Sequence, residues 1–336
     1  MPITSIGDMA QHMMMSRRNT EVRNNLDRLA YELSSGRKSD VAQSLKGDFN
    51  LLAGVERELT VLQGYEVATT DAEFFTDVGQ AVLQQVQDTA GGLGRDLFSA
   101  VNSGLSASVN SVSQNAANDF DAIVNALNTR AGDRTVFAGT ATDGAALISS
   151  QDMMTQLSAA VLGLTTVADV VAAVDDYFMS PGGGFETNAY LGSNTDLAPF
   201  RLSDNEVANF DVRADDPEIR EAMRDSALAA MAIDPGLGFD LEQKKDLIAV
   251  AGERLLLDQD ALIETRADVG FNQERIDSAV TNNAAQRSAL LMTQSDLLGV
   301  DETEVAGQLQ AVQVQLEMVY TITARLSQLT LANYVR

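Results

Sequence analysis

Residues 305–326, VAGQLQAVQVQLEMVYTITARL, place Val305, Leu309, Val312, Leu316, Val319, Thr323 and Leu326 at successive steps of 4, 3, 4, 3, 4 and 3. That spacing holds one stripe of a helix towards a partner helix. The other end of the chain repeats the pattern with an interruption: Ile6, Met9 and Met13 come first, then Val22, Leu26, Leu29 and Leu33. Chain ends usually fray, so two well-patterned terminal helices point to a role in packing against something. Burying six apolar side chains returns less free energy than ordering the last 36 residues consumes in backbone entropy. The ends are therefore expected to be poorly ordered in the monomer and to become helical as many copies pack together.

Composition fits long helices better than a compact enzyme. Aromatic residues make up 5% of the 336, with no Trp, so the core must be built from Leu, Val, Ala and Met. There is no cysteine, which removes disulfides, thiolate metal sites and cysteine nucleophiles together. No basic segment followed by an apolar run opens the chain, so no cleaved signal peptide is expected. No apolar stretch is long enough for membrane insertion. The net charge of -25 is unevenly spread: residues 1–64 hold eight acids and eight bases, whereas residues 65–200 hold sixteen acids and three bases. Residues 201–300 add twenty acids against ten bases, and the last 36 hold four against two. Near-neutral ends can crowd against copies of themselves, and an acidic middle suits a solvated exterior. With no basic stripe to neutralise phosphates, nucleic acid is not an expected partner.

Along the chain, a first helix from Ser5 to about Ser34 stops at Gly36, a left-handed cap. A second begins near Phe49 and runs past Gly91, Gly92 and Gly94 to the turn Asn102-Ser103-Gly104. A third, Ser106 to Arg130, returns antiparallel to it. Short strands are expected at Thr135–Ala138, Ala145–Ile148 and between Phe185 and Val212, with helix at 152–178. Asp216-Pro217-Glu218 starts a further helix. Asp240 and Gln243 form a capping box for one that runs towards Leu297, and Asp301 with Glu304 forms another for the terminal helix. The fold class is mainly α: long antiparallel helices from both termini make a coiled-coil-like rod with a mixed α+β middle insert. The expected domains are paired terminal helices (1–43 and 299–336), a helical rod (44–138 and 241–298) and an outer insert (139–240).

Chemistry finds little support. His12, the only histidine, stands beside Met13, Met14 and Met15 with nothing to orient it, and reads as a helix-surface residue. A zinc site would need thiols or a second imidazole. The acids Asp204, Glu206, Asp211, Asp215 and Asp216 lack the loop spacing of an EF-hand and read as a solvated loop and helix cap. The glycine-rich segments lack the Lys-Ser or Lys-Thr pair of a phosphate loop and read as turns. No catalytic residue, metal or cofactor is expected.

Leu33-Ser34-Ser35-Gly36-Arg37, Arg134-Thr135-Val136-Phe137-Ala138-Gly139-Thr140 and the closing Leu329-Thr330-Leu331-Ala332-Asn333-Tyr334-Val335 together resemble bacterial flagellin-type axial proteins. Within that family the Tyr-containing end and the Phe-Ala-Gly-Thr turn look most like the hook-filament junction group, over residues 1–140 and 241–336. Where family members continue from Gly-Arg into Asp-Asp-Pro, this chain has Ser39-Asp40-Val41-Ala42-Gln43. The resemblance implies a structural part of the flagellum, extracellular and exported unfolded through type III secretion with an uncleaved signal. It also implies self-association in a ring or tube, with a neighbouring hook-associated protein, flagellin and an export chaperone as partners. The expected assembly interface is Leu26, Leu29, Leu33, Leu309, Val312, Leu316, Val319 and Leu326. A flagellin filament subunit is the nearest alternative, and a cytosolic coiled-coil enzyme or regulator is the alternative from another class.

Overall fold

The computed structural model describes residues 6–334, and the side chains within that span except those of residues 6–8, 11, 12 and 326–334. Its helices in chain order are α1 (Ile6–Ser35), α2 (Val41–Ser44), α3 (Asn50–Ser103), α4 (Ser106–Leu127), α5 (Ser150–Val161), α6 (Val167–Met179), α7 (Pro217–Met231), α8 (Leu241–Leu257), α9 (Gln259–Leu298) and α10 (Glu302–Tyr334). Two antiparallel pairs complete the mainly α architecture: β1 (Arg130–Ala131) with β2 (Arg134–Thr135), and β3 (Phe200–Arg201) with β4 (Val207–Ala208). The chain divides into two compact units, residues 1–62 with 284–336, and residues 63–283. Both boundaries fall inside helices, α3 and α9.

Local chemistry sets the helix ends. Gly36 follows α1 at φ +65°, a conformation that costs glycine nothing. The Asp240–Gln243 box is formed in both directions at the start of α8. Pro217 opens α7, where its missing N–H is no loss. At α10 the Asp301 carboxylate accepts from the Thr303 and Glu304 amides at 2.9 and 3.1 Å. The Glu304 side chain accepts from Gln308. The helix expected at 152–178 is two helices, parted at Gly163 (φ +85°) and restarted by the Thr166 cap. The long helix expected from Asp240 to Leu297 breaks at Asp258, whose carboxylate is bound by Arg224 of α7 at 3.3 Å. Phe185–Ala189, expected as strand, forms a single π-helical turn.

In the second unit one apolar core runs from Ala72 to Ala279 and includes the Phe residues 75, 120, 137, 178, 185, 200 and 210. The middle segment thus contributes to the same core as α3, α4 and α8. Gly94 inside α3 and Gly252 of α8 permit close approach between the two helices. A Cβ on Gly94 would lie 3.1 Å from Leu256 Cγ, and one on Gly252 of α8 would lie 3.0 Å from Leu97 Cβ. Arg134, in the motif noted above, sets its guanidinium 4.9 Å from the Phe75 ring centre and bonds Asp71 at 2.8 Å. Phe210 meets both Phe75 and Phe137 edge-on, at 5.3 and 5.8 Å. The Phe-Ala-Gly-Thr turn is thereby fastened to the aromatic centre of the unit.

Candidate assembly surface

In the first unit α1 packs against α10. The register follows the apolar stripe of α10: Val305 is buried and Leu309, Val312, Leu316 and Val319 are half-buried, whereas the residues between them are exposed. On α1 the matching line is Met15, Asn19, Val22, Leu26, Leu29 and Leu33, with Val22 and Leu29 buried and the others half-buried. This fills the interruption after Met13 with a different register from the expected one, because Met9 and Met13 point outwards. Asn19 is polar, so apolar spacing could not reveal it; its Oδ1 is buried without a hydrogen-bond partner. Across the pair, Arg23 donates to the Tyr320 hydroxyl at 2.6 Å, and the Thr323 hydroxyl lies 4.0 Å from Met15 Sδ. The structure brings seven of the eight expected interface residues into or beside this seam; the Leu326 side chain, like those of Ile6 and His12, lies outside the described residues.

The root of the pair is pinned. Val300 N–H donates to the Gly36 carbonyl at 3.1 Å and Lys38 N–H to the Leu298 carbonyl at 2.8 Å, so the segment leaving α1 is bonded to the short link between α9 and α10. Lys38 Nζ adds a bond to the Leu297 carbonyl at 3.2 Å. Glu32, nearly buried, accepts from the Ser39 amide at 3.0 Å, the Ser39 hydroxyl at 2.8 Å and Arg28 at 3.1 Å. Burial raises the Glu32 carboxyl, but these donors outweigh it and hold it below the ordinary glutamate value. Ser39, which departs from the family pattern, is therefore a working part of this joint. A periodicity argument misses Glu32, since a charged residue beside an apolar stripe reads as surface.

A second apolar stripe runs along α10. Val314, Met318 and Ile322 are exposed, in line with Gly307 and Ala311, roughly 140° round the helix from the stripe that meets α1. On α1 the outward face carries Met9 and Met13. Charge is near balance in this unit: residues 1–62 and 284–336 hold 13 acids and 11 bases, against 35 acids and 12 bases in residues 63–283.

In the second unit the charged groups are paired with one another: Arg224 and Arg254 bridge Asp175, Asp225 and Asp258. Its acidic loop residues are separated by their partners: Asp204 accepts from Tyr65 at 2.7 Å, and Asp215 accepts from Arg213 at 2.8 Å. Glu206 stands 3.9 Å from Arg275. Among the described residues no cluster of His, Asp and Glu is arranged to hold a metal, and no helix is long and apolar enough to cross a membrane.

Residues 259–335, which contain α9 and α10, match the profile of the bacterial flagellin C-terminal helical region. No curated protein sequence matches the chain. Among solved structures, a Vibrio parahaemolyticus protein described as flagellar hook-associated aligns with a TM-score of 0.50 at 14% identity, over 75% of this chain and 99% of that one. FlgL of Bacillus cereus aligns with a TM-score of 0.50 at 14% identity, over 70% of this chain and 96% of that one. Over its last two helices the chain is similar to the bacterial flagellin C-terminal helical region, and over most of its length it shares the fold of these two solved structures.

Proposed function

We propose that this chain is a structural, non-catalytic subunit of the bacterial flagellum that joins hook to filament by packing its terminal helix pair against those of neighbouring copies. The observation that carries the reading is the second apolar stripe of α10, Val314, Met318 and Ile322, left open after the first has met α1. A helix with apolar residues on two faces is a member of a larger bundle. The seam inside one chain also leaves most of its positions only half-buried, so further copies would complete it. The near-neutral charge of the first unit lets copies approach one another. A chain without cysteine is suited to export unfolded through a type III channel, with hook-associated protein and flagellin as neighbours after assembly.

Complementation of a deletion strain tests this. Deletion is expected to leave hooks without filaments and to release flagellin into the medium, and the wild-type gene to restore filaments. Val314→Asp should keep the helix signal of the monomer yet fail to restore them, because it places a carboxylate in a packed apolar contact between copies. Normal filaments in the deletion strain would overturn the proposal. Label confined to the filament base separates a junction subunit from a filament subunit, which would be labelled along its whole length.

A further inference from the structure

Methionine is partitioned between the two units in a way that neither the fold nor assembly alone requires. In residues 63–283 Met153, Met223 and Met231 have no exposed surface, and Met154 and Met179 are half-buried in or against the core. In the first unit Met9, Met13, Met14, Met292 and Met318 are 61%, 69%, 70%, 68% and 54% exposed. Met318 stands within the open stripe between Val314 and Ile322, and Met15 lies in the seam beside Thr323. Met9, Met13 and Met318 therefore lie on the open faces of α1 and α10 described above, while Met14 of α1 and Met292 of α9 are exposed beside them in the same unit.

We infer that these methionines are oxidative modification sites that control assembly, an inference that rests on the proposed packing of the terminal helices. The reacting oxidant is a peroxide. The sulfur lone pair attacks one peroxide oxygen, the O–O bond breaks, and the proton on the transferred oxygen passes to the departing hydroxide. The sulfur is oxidised by two electrons to the sulfoxide, and hydrogen peroxide is reduced to water. Each event replaces a flexible apolar group by a strong dipole with an acceptor oxygen, and the free faces of α1 and α10 offer it apolar neighbours. A packed array covers the same sulfurs, so sensitivity is confined to chains that have not yet assembled. A methionine sulfoxide reductase with a thiol reductant reverses the change.

The test treats purified full-length monomer and assembled polymer with hydrogen peroxide and maps added oxygen by peptide mass spectrometry. In the monomer Met9, Met13, Met14, Met292 and Met318 are expected to react on the order of tenfold faster than Met153, Met223 and Met231. The treated monomer should keep the near-ultraviolet signal of its second unit and stop polymerising, and reductase treatment should restore polymerisation. Combined Met9→Leu, Met13→Leu, Met14→Leu, Met292→Leu and Met318→Leu substitutions conserve volume, and that chain should polymerise after treatment. Equal reaction rates in the two units, or unimpaired polymerisation of the fully oxidised wild-type chain, would overturn the inference alone. Untreated wild-type chain that never polymerises would instead overturn the assembly reading on which it depends.

Discussion

At the scale of single residues, Gly139 shows how a short motif is turned into structure. Its φ is +56°, and a Cβ there would stand 2.5 Å from the Thr195 carbonyl oxygen and 2.6 Å from that of Ser193. The neighbouring backbone uses the same approach: Thr140 N–H donates to Thr195 at 3.0 Å, and Ser193 N–H donates to Ala138 at 2.9 Å. Gly139→Ala combines left-handed strain with two backbone clashes and is expected to destabilise the second unit by about 2–4 kcal/mol. Urea denaturation followed by near-ultraviolet circular dichroism measures this, and an unchanged midpoint would count against the close approach. The terminal helix pair, in the other unit, should keep its helix signal.

At the scale of elements, α10 divides into a stripe that meets α1 and a stripe left open, which the proposed function gives to neighbouring copies. Leu316 belongs to the inner stripe and is half-buried where α10 meets α1. Leu316→Asp exchanges an apolar contact for a partly buried charge and should weaken the α1–α10 pair by about 2–4 kcal/mol. Far-ultraviolet circular dichroism should show loss of terminal helix in this variant and no incorporation into filaments, with the second unit intact. Val314→Asp, on the outer stripe, should lose incorporation alone. If the two variants behaved identically in the monomer, the division of α10 into inner and outer faces would be wrong. The pinned joint at Glu32, Ser39 and Val300 gives the pair a fixed root, so damage to the seam reaches both helices.

At the scale of the whole molecule, acid acts on the two units in opposite directions. Burial pushes the carboxyls of Asp225 and Asp216 up to about 6, against the pull of Arg224 on the first and Arg213 on the second. Burial raises Asp119 and Glu221 in the same sense. Asp225 and Asp216 keep their protons in the folded second unit between about pH 4 and 6, where the unfolded chain has released them. Their contribution therefore falls as pH rises through that window. The 35 acids of this unit also repel one another less as they are neutralised. Glu32 in the first unit is shifted downwards, so its contribution is present at neutral pH and is lost as pH falls below the ordinary glutamate range. Scanning calorimetry should give the second unit a higher Tm at pH 5 than at pH 7.5. A lower Tm at pH 5 would mean that the Arg224–Asp225 and Arg213–Asp216 pairings outweigh burial.

Sequence alone determined what depends on local periodicity and local chemistry. The long helices, the Gly36 cap, the Asp240–Gln243 box, the Pro217 start and the α10 stripe were all legible, because helical period and capping are properties of residues three or four apart. The clustering of acid outside the terminal segments could likewise be counted directly. Tertiary structure decided whatever depends on residues far apart in the chain. It chose Met15 and Asn19 over Met9 and Met13 for the seam, since only α10 in place tells one face of α1 from another. It also interrupts the long helix at Asp258, whose carboxylate an arginine 34 residues away binds, while the apolar repeat runs on in phase. The open stripe of α10 belongs to both accounts: its residues can be read from the chain, but their exposure is set by which face the partner helix has already covered.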